Sequence, residues 1–565
     1  MRKLVLIDHS LQDLRGHHFP YAASVMQAAT AAQLEVVLAT HRHFSAPREL
    51  ADRVPVHALF PAPTYSMHSL DTQSLRRSAD PLGRAGLLTW WRSLGARRAR
   101  ARRRASFAQA AAQLFARVPL VDGDIVFFTT ASELDLAGLA DYVAASASPA
   151  RVQWHLQFHF GVFHGREPQY PSQTSAADAM RTSLSGSLER LTGKALHFWC
   201  TTDNLTAQYN SLGVAPFATL PYPVHALFSA PQPLRPSPQP ARIACLGHAR
   251  REKGQGALPT LLALLWRDYL RTGRARFVVQ GARADLKHQL ERTVDRLGRA
   301  PGALEFAPGA LDLPRYAELV RASDVGLLLY DAQRYYDRCS GVLLEMLSAG
   351  VPVIVPAATW LAQQIQDVNQ RYLGEVQRAR PVSPGLPLRV EDGRAVSALR
   401  LQRDPVATHT TLDAPGRTLL LSARCLAPAR AGNYLRVELR QHGMPDAGSD
   451  AAAVQIVPVR NGEDLLYLAF SLHPQARTLE LHWSNAFDGE VLVLADLQAQ
   501  ALTEALPLAA VGHAVADTRA AAAALRDILD HLDHYKRQSA LFAVSCAQHS
   551  SAGGIVAALI AVSRS

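Results

Sequence analysis

The sequence predicts an α/β protein of two doubly wound parallel-sheet domains, with an all-β sandwich inserted in the C-terminal half. Three observations predict it. Short apolar, β-branched runs alternate with helical stretches in two series, one on each side of a proline-rich break. From about 398 to 500 the pattern changes to short alternating strands with no convincing helix between them. Helical periodicity then returns from Val511 onward.

The first series opens with KLVLID (3–8), a loop holding Gly16, His17 and His18, and a helical stretch from Tyr21 to Ala32. EVVLAT (35–40), DIVFFTT (124–130), VQWHLQFHF (152–160) and ALHFWCTT (195–202) are the following strands. LPYPVH (220–225) and PQPLRPSPQP (231–240) break the pattern, giving a first domain of 1–228 and a linker of 229–240. The second series runs through ARIACLG (241–247), RFVVQG (276–281), LEFAPG (304–309), DVGLLLY (324–330) and VPVIVP (351–356). Two such Rossmann-like halves enclose a cleft, with ligands held at the carboxyl ends of the strands. The second domain is expected over 241–372 and 510–565, with 398–500 as the inserted sandwich, because in a family that the chain resembles a comparable helical tail closely follows the strand matching VPVIVP and packs back on the fold. On that reading, removing the insertion leaves a folded two-domain core. The alternative is a separate sandwich domain followed by an unrelated helical cap.

Composition narrows the classes. With 565 residues, 48% hydrophobic and 19% charged, the chain has material for several packed cores and is not a disordered protein. Its five cysteines are scattered and form no CxxC pair, which points away from a zinc site or a disulfide framework. The opening MRKLVLIDHS has too short an apolar run for a signal peptide, and no apolar stretch is read as approaching the ~20 residues that span a bilayer. A cytoplasmic protein is expected, or one peripheral at the inner face of the membrane. The net charge of +11 favours an anionic partner: nucleic acid, a membrane surface or a phosphorylated substrate. Region 84–104 combines Leu87, Leu88, Trp90 and Trp91 with eight arginines, and as a helix it could lie on an anionic membrane surface. The alternative is a solvated basic face. No nucleic-acid module accompanies it, so no nucleic-acid partner is expected.

The most informative stretch is Tyr335–Pro356, YYDRCSGVLLEMLSAGVPVIVP. Asp337 opens it, Ser340, Gly341 and Val342 begin a helix, and Glu345 follows eight positions after Asp337. Free backbone N–H groups and the dipole at that helix start favour an anion, and Gly341 lets it approach. Two flanking carboxylates can bind sugar hydroxyls. This stretch resembles the acidic-x7-Glu motif of retaining glycosyltransferases with two facing Rossmann-like domains, the GT-B fold, and family 4 in particular. That family usually has Glu first, where this chain has Asp337, one methylene shorter.

A second segment, LGHARREKGQGALPTLL (246–262), resembles the same family's strand–Gly–basic–x–x–Lys–Gly loop, where cations meet the donor diphosphate. Lys253 and Gly254 match the Lys-Gly pair, His248 stands where the usual Arg would be, and Arg250 or Arg251 could reach the phosphates instead. In isolation these read more readily as solvated loop charges; the acidic-x7-Glu motif in register downstream favours the diphosphate role. The resemblance implies that Glu345 accepts hydrogen bonds from the nucleotide ribose and that Asp337 meets the donor sugar. It places Gly16 and His17 in the loop near donor phosphates or acceptor. It also places a His at the end of the strand 152–160; His159 fits best and His155 second, although either could be hydrogen-bonded within the domain. Asp337, Lys253 and His159 are thus the catalytic candidates, and the remaining residues bind the donor.

The resemblance implies a retaining, metal-independent, hexosyltransferase-type enzyme without a resident cofactor. A UDP- or GDP-sugar would be the co-substrate, and a glycan or lipid-linked acceptor in bacterial surface polysaccharide assembly would receive the sugar. Asp337 and His248 favour a rival, a non-catalytic carbohydrate-binding or assembly protein on the same scaffold. A nucleotide-sugar epimerase is a third reading.

Overall fold

The computed structural model describes residues 2–14, 16, 18–64, 85–146, 151–229, 240–247, 250–380, 385–426, 433–443, 452–459, 465–487 and 491–562, without the side chains of 85–94, 96, 168 and 251. Most of the linker, 230–239, lies outside the described residues.

The first domain holds a seven-stranded parallel sheet built from β1 (Lys3–Asp8), β2 (Glu35–His41), β3 (Val56–Phe60), β4 (Ile125–Ala131), β5 (Gln153–Phe158), β6 (Ala195–Cys200) and β7 (Phe217–Thr219). The strand order is β3-β2-β1-β4-β5-β6-β7. Strands β1 and β4 are buried almost end to end, as expected of a sheet covered on both faces. The order reverses between β1 and β4, which leaves a crevice at the carboxyl ends of the strands.

The second domain repeats the plan with β8 (Ala241–Cys245), β9 (Ala275–Gln280), β10 (Leu304–Ala307), β11 (Val325–Leu327) and β12 (Val353–Pro356). After β12 the chain runs through a helix, Trp360–Arg378, into two antiparallel four-stranded sheets. Their strands are β13 (Leu399–Leu401), β14 (Val406–Thr411), β15 (Thr418–Cys425), β16 (Tyr434–His442), β17 (Ala453–Pro458), β18 (Leu465–Ser471), β19 (Thr478–Asn485) and β20 (Leu492–Leu502). The orders are β13-β20-β15-β18 and β14-β19-β16-β17. Alternate residues of both sheets, among them Leu419, Leu421, Val437, Leu439, Leu481 and Trp483, form one core between them.

The chain then returns as β21 (Gly512–Val515), which pairs in parallel with β12 from Val353↔Gly512 to Pro356↔Val515. The sandwich therefore lies, in chain order, between two neighbouring strands of one sheet of order β10-β9-β8-β11-β12-β21. Gly512 is required at the entry: its φ is +135° and a Cβ there would meet the Val353 carbonyl oxygen at 1.9 Å.

Three helices close the chain: Thr518–Asp530, Leu532–His549 and Ala552–Val562. The last crosses to the first domain, where Ile555, Val556 and Leu559 join the core around the helix His18–Ala31, and Val224 N–H donates to the Ser550 carbonyl at 2.9 Å. Leu532–Val562, 31 residues with hydropathy 1.3, is long and apolar enough to cross a membrane by length and composition, contrary to the sequence expectation. It is divided into two helices, and part of it is buried against both domains.

The arginine-rich segment forms the helix Ala85–Arg117. Three of its arginines face acids inside the domain. Arg100 pairs with Glu133 at 2.9 Å, Arg103 with Asp135 at 3.2 Å, and Arg104 with Asp141. This corrects the reading of all eight as a lipid-facing set: those three bind the neighbouring helix Glu133–Ala145, while Arg97, Arg98 and Arg102 are exposed. Arg84 and the side chains of Leu87, Leu88, Trp90, Trp91 and Arg92 lie outside the described residues.

Candidate active site

A cleft of about 1240 Å³ opens between the carboxyl ends of the two parallel sheets. Gly16, His159, Arg250, Lys253, Asp337, Ser340, Gly341, Val342 and Glu345 all line it. His17 and His248 lie outside the described residues, as does the side chain of Arg251.

The loop after β8 is shaped by its glycines. Gly247 has φ +97°, donates its N–H to Gln280 at 2.8 Å, and would place a Cβ 2.7 Å from Lys253 Nζ. Gly254 has φ +72°, and a Cβ there would lie 1.7 Å from the Leu329 carbonyl oxygen. The Lys-Gly pair thus lets the chain turn against the Leu329 backbone just past β11 while the lysine points inward. The Lys253 ammonium sits 5.2 Å over the Tyr330 ring. Burial pulls its pKa below the ordinary value, Arg250 adds to that, and Tyr335 and the Glu345 carboxyl work against it.

Beside it the helix Gly341–Ser348 starts at Ser340, whose hydroxyl accepts from Leu343 N–H at 3.3 Å. Gly341 leaves its first turn open toward Tyr222 of the first domain; a Cβ would approach that ring at 3.3 Å. Glu345 lies one turn on, 5% exposed, and accepts from the Tyr316 hydroxyl at 2.8 Å. Burial pushes its carboxyl up to about 7, against the Tyr316 hydrogen bond and the charge of Lys253.

Asp337 is also 5% exposed. Its Oδ2 accepts from Gln208 Nε2 at 2.7 Å, and its carbonyl from the Thr202 hydroxyl at 2.6 Å. The neighbouring Tyr336 carbonyl accepts from Asn204 at 2.9 Å. All three donors belong to the first domain, at the start of or within the helix Asp203–Asn210. Burial pushes the Asp337 carboxyl up to about 6, with Arg338 and Gln208 opposing.

His159 stands at the end of β5 with Nε2 2.6 Å from the Thr129 carbonyl. A carbonyl only accepts, so Nε2 carries the hydrogen. Burial pulls the ring down to about 4, which keeps it neutral near pH 7. His155, the second candidate, is 0% exposed and accepts at Nδ1 from Trp199 Nε1 at 3.1 Å, so it serves the sheet and not the cleft. Sequence reasoning missed Gln208, Thr202, Asn204 and Tyr316. Each is an ordinary polar helix or helix-cap residue whose partner is distant in sequence, so no local signal marked it.

Chemically, one wall offers a half-buried ammonium and an open helix start, which together suit an anion. Two buried carboxyls of raised affinity for protons flank it. Among the described residues no group of three His, Cys, Asp or Glu could hold a metal ion.

No family model matches the chain, and no curated protein matches it. Among solved structures it is similar to trehalose-6-phosphate synthase OtsA (14% identity, 64% of this chain and 86% of that one, TM-score 0.42). It is also similar to sucrose-phosphate synthase from Thermosynechococcus elongatus (16%, 66% and 85%, TM-score 0.39). A third is HepE of Anabaena, solved in complex with UDP and glucose (14%, 66% and 84%, TM-score 0.40).

Proposed function

We propose that this protein is a retaining glycosyltransferase of GT-B type that transfers a hexose from a UDP- or GDP-sugar to a glycan or lipid-linked acceptor, in bacterial surface polysaccharide assembly. One observation carries the reading: Lys253, the helix start at Gly341, and Glu345 with Asp337 line a single cleft between two Rossmann-like sheets. In this reading Lys253 and the Gly341 N-terminus bind the diphosphate. Their hold tightens as the bond between anomeric carbon and phosphate oxygen breaks and charge collects on the leaving group. The acceptor oxygen attacks from the same face, and its proton passes to the departing phosphate oxygen. Glu345 would receive the ribose hydroxyls and Asp337 the sugar. The exposed Arg97, Arg98 and Arg102 support a peripheral position at an anionic membrane surface.

The rival reading, a binding-only protein, is favoured by the engagement of Asp337 Oδ2 with Gln208 in place of an open carboxylate. A screen of nucleotide-sugar donors against glycan and lipid-linked acceptors, followed by product NMR, separates the two. An α-configured product from an α-donor supports retaining transfer. Nucleotide-sugar binding without product, or a product of inverted configuration, overturns it.

A further inference from the structure

Gln208 sits where three parts of the molecule meet, and all its hydrogen-bonding capacity is used. It is 3% exposed. Its Oε1 accepts from the backbone N–H groups of Val162 and Phe163 at 3.0 and 3.3 Å, so the oxygen must point at that loop and the amide nitrogen away from it. The nitrogen donates to Asp337 Oδ2 at 2.7 Å and to the Tyr170 hydroxyl at 2.8 Å. Gly161 leaves the space for this approach, since a Cβ there would lie 2.3 Å from Asp337 Oδ2. A neutral amide of the first domain therefore holds a buried carboxyl of the second.

We propose that Gln208 is a positioning residue that orients the Asp337 carboxyl at the reacting centre across the domain cleft. The inference rests on the glycosyltransferase reading of the cleft. Other groups also face Asp337. Arg338 lies beside it and holds its pKa down, as the amide does. The phenols of Tyr170, Tyr209 and Tyr336 and the Cys200 thiol are pushed above their ordinary values by burial and stay neutral. Among these groups Gln208 makes the direct contact with Oδ2 that ties the carboxyl to the first domain.

The decisive variant is Gln208→Glu, which keeps an oxygen for the Val162 and Phe163 N–H groups but turns the donor facing Asp337 into an acceptor. Turnover number should fall about 10- to 100-fold, as for a small misplacement of a reacting group, with the donor Michaelis constant nearly unchanged. The acid limb of its pH profile should move to higher pH, because the hydrogen bond that lowers the carboxyl's pKa has been lost and a second carboxyl now faces it. Asn204→Ala removes a neighbouring cross-domain bond without touching the carboxyl and should leave that limb in place. A readout independent of activity is carbon-13 NMR of labelled aspartate in the full chain, with the Asp337 signal assigned by its loss in Asp337→Asn. It should titrate at higher pH in Gln208→Glu than in wild type. If Gln208→Glu is folded and both its titration and its turnover match wild type, the proposal is overturned. It is likewise overturned if only thermal stability or donor affinity changes while turnover stays. If the titration shifts but wild type transfers no sugar from any donor, the positioning stands and the glycosyltransferase reading fails.

Discussion

Tyr316 donates its hydroxyl hydrogen to Glu345 across 2.8 Å, and the pair is buried beside the helix start that begins at Gly341. The carboxyl is pushed from 4.5 to about 7 by burial. The folded state therefore binds this proton more tightly than the unfolded chain. The group's contribution to stability is fully present below 4.5 and is lost as pH rises through 7. Glu345→Gln should consequently raise the melting temperature at pH 8 and leave it nearly unchanged near pH 4. The gain is bounded at about 3 kcal/mol and reduced because Lys253 loses a neighbouring negative charge. The same variant should raise the donor Michaelis constant, since a ribose contact is felt equally in ground and transition states. Melting curves across pH and donor kinetics check both halves; destabilisation at pH 8 would refute the first.

Lys253→Ala should lower turnover about 10²- to 10³-fold, the usual effect of removing one oriented donor from a developing charge. The side chain is a half-buried cation held at a desolvation cost, so its loss should leave the fold intact. Steady-state kinetics alongside circular dichroism test this, and unchanged turnover in a folded variant removes Lys253 from the site.

Gly254→Ala is a sharper probe of the loop than of the charge. The added Cβ would overlap the Leu329 carbonyl at 1.7 Å, on a backbone with φ +72°. The loop has to move, displacing Lys253 with it. Nucleotide affinity should drop as far as in Lys253→Ala, with a further loss of stability of about 1–3 kcal/mol from backbone strain. Calorimetric titration and melting measure the two effects separately.

The sandwich is not a detachable ornament. Tyr434 of β16 is 2% exposed and packs in one cluster with Tyr336, the residue before Asp337, while Phe487 lies under the Arg166 guanidinium at 3.9 Å. On its other side Gln370 of the helix Trp360–Arg378 exchanges hydrogen bonds with Tyr467 at 2.8 Å. The sequence reading expected a trimmed core without 398–500 to fold as before. The structure instead predicts that the deletion bares Tyr336 and Leu373, so the trimmed protein should aggregate or melt lower. Tyr434→Ala should cost about 3–5 kcal/mol, as for other buried aromatics, and reduce turnover by loosening the Asp337 loop. Thermal melting and kinetics of the point variant decide it; a stable variant of full activity would contradict the coupling.

Much of this was legible because it is local. Runs such as KLVLID and VPVIVP announce buried parallel strands, and β1 and β12 are built from them. Lys253 and the spacing of Asp337 to Glu345 flagged residues that the fold brings to one cleft. What the sequence hid depends on pairing across the chain. Gln208 reaches Asp337 over 129 positions and Tyr316 reaches Glu345 over 29. The acids that neutralise Arg100, Arg103 and Arg104 sit on another helix, so a basic run looked freer than it is. In VQWHLQFHF the alternation placed His155 and His159 on one face, but only the fold shows that one ends at the cleft and the other under Trp199.

The central claim is that the cleft binds a nucleoside diphosphate through Lys253 and the Gly341 helix start. Isothermal titration of UDP and of GDP into wild type and into Lys253→Ala, both without added metal, tests it most directly. One of the two nucleotides should bind wild type with one-to-one stoichiometry and bind Lys253→Ala at least about tenfold more weakly, the loss of about 1.4 kcal/mol or more that an oriented cation facing phosphate contributes. Absence of binding by either nucleotide to folded wild type, or equal affinity for both proteins, would contradict it.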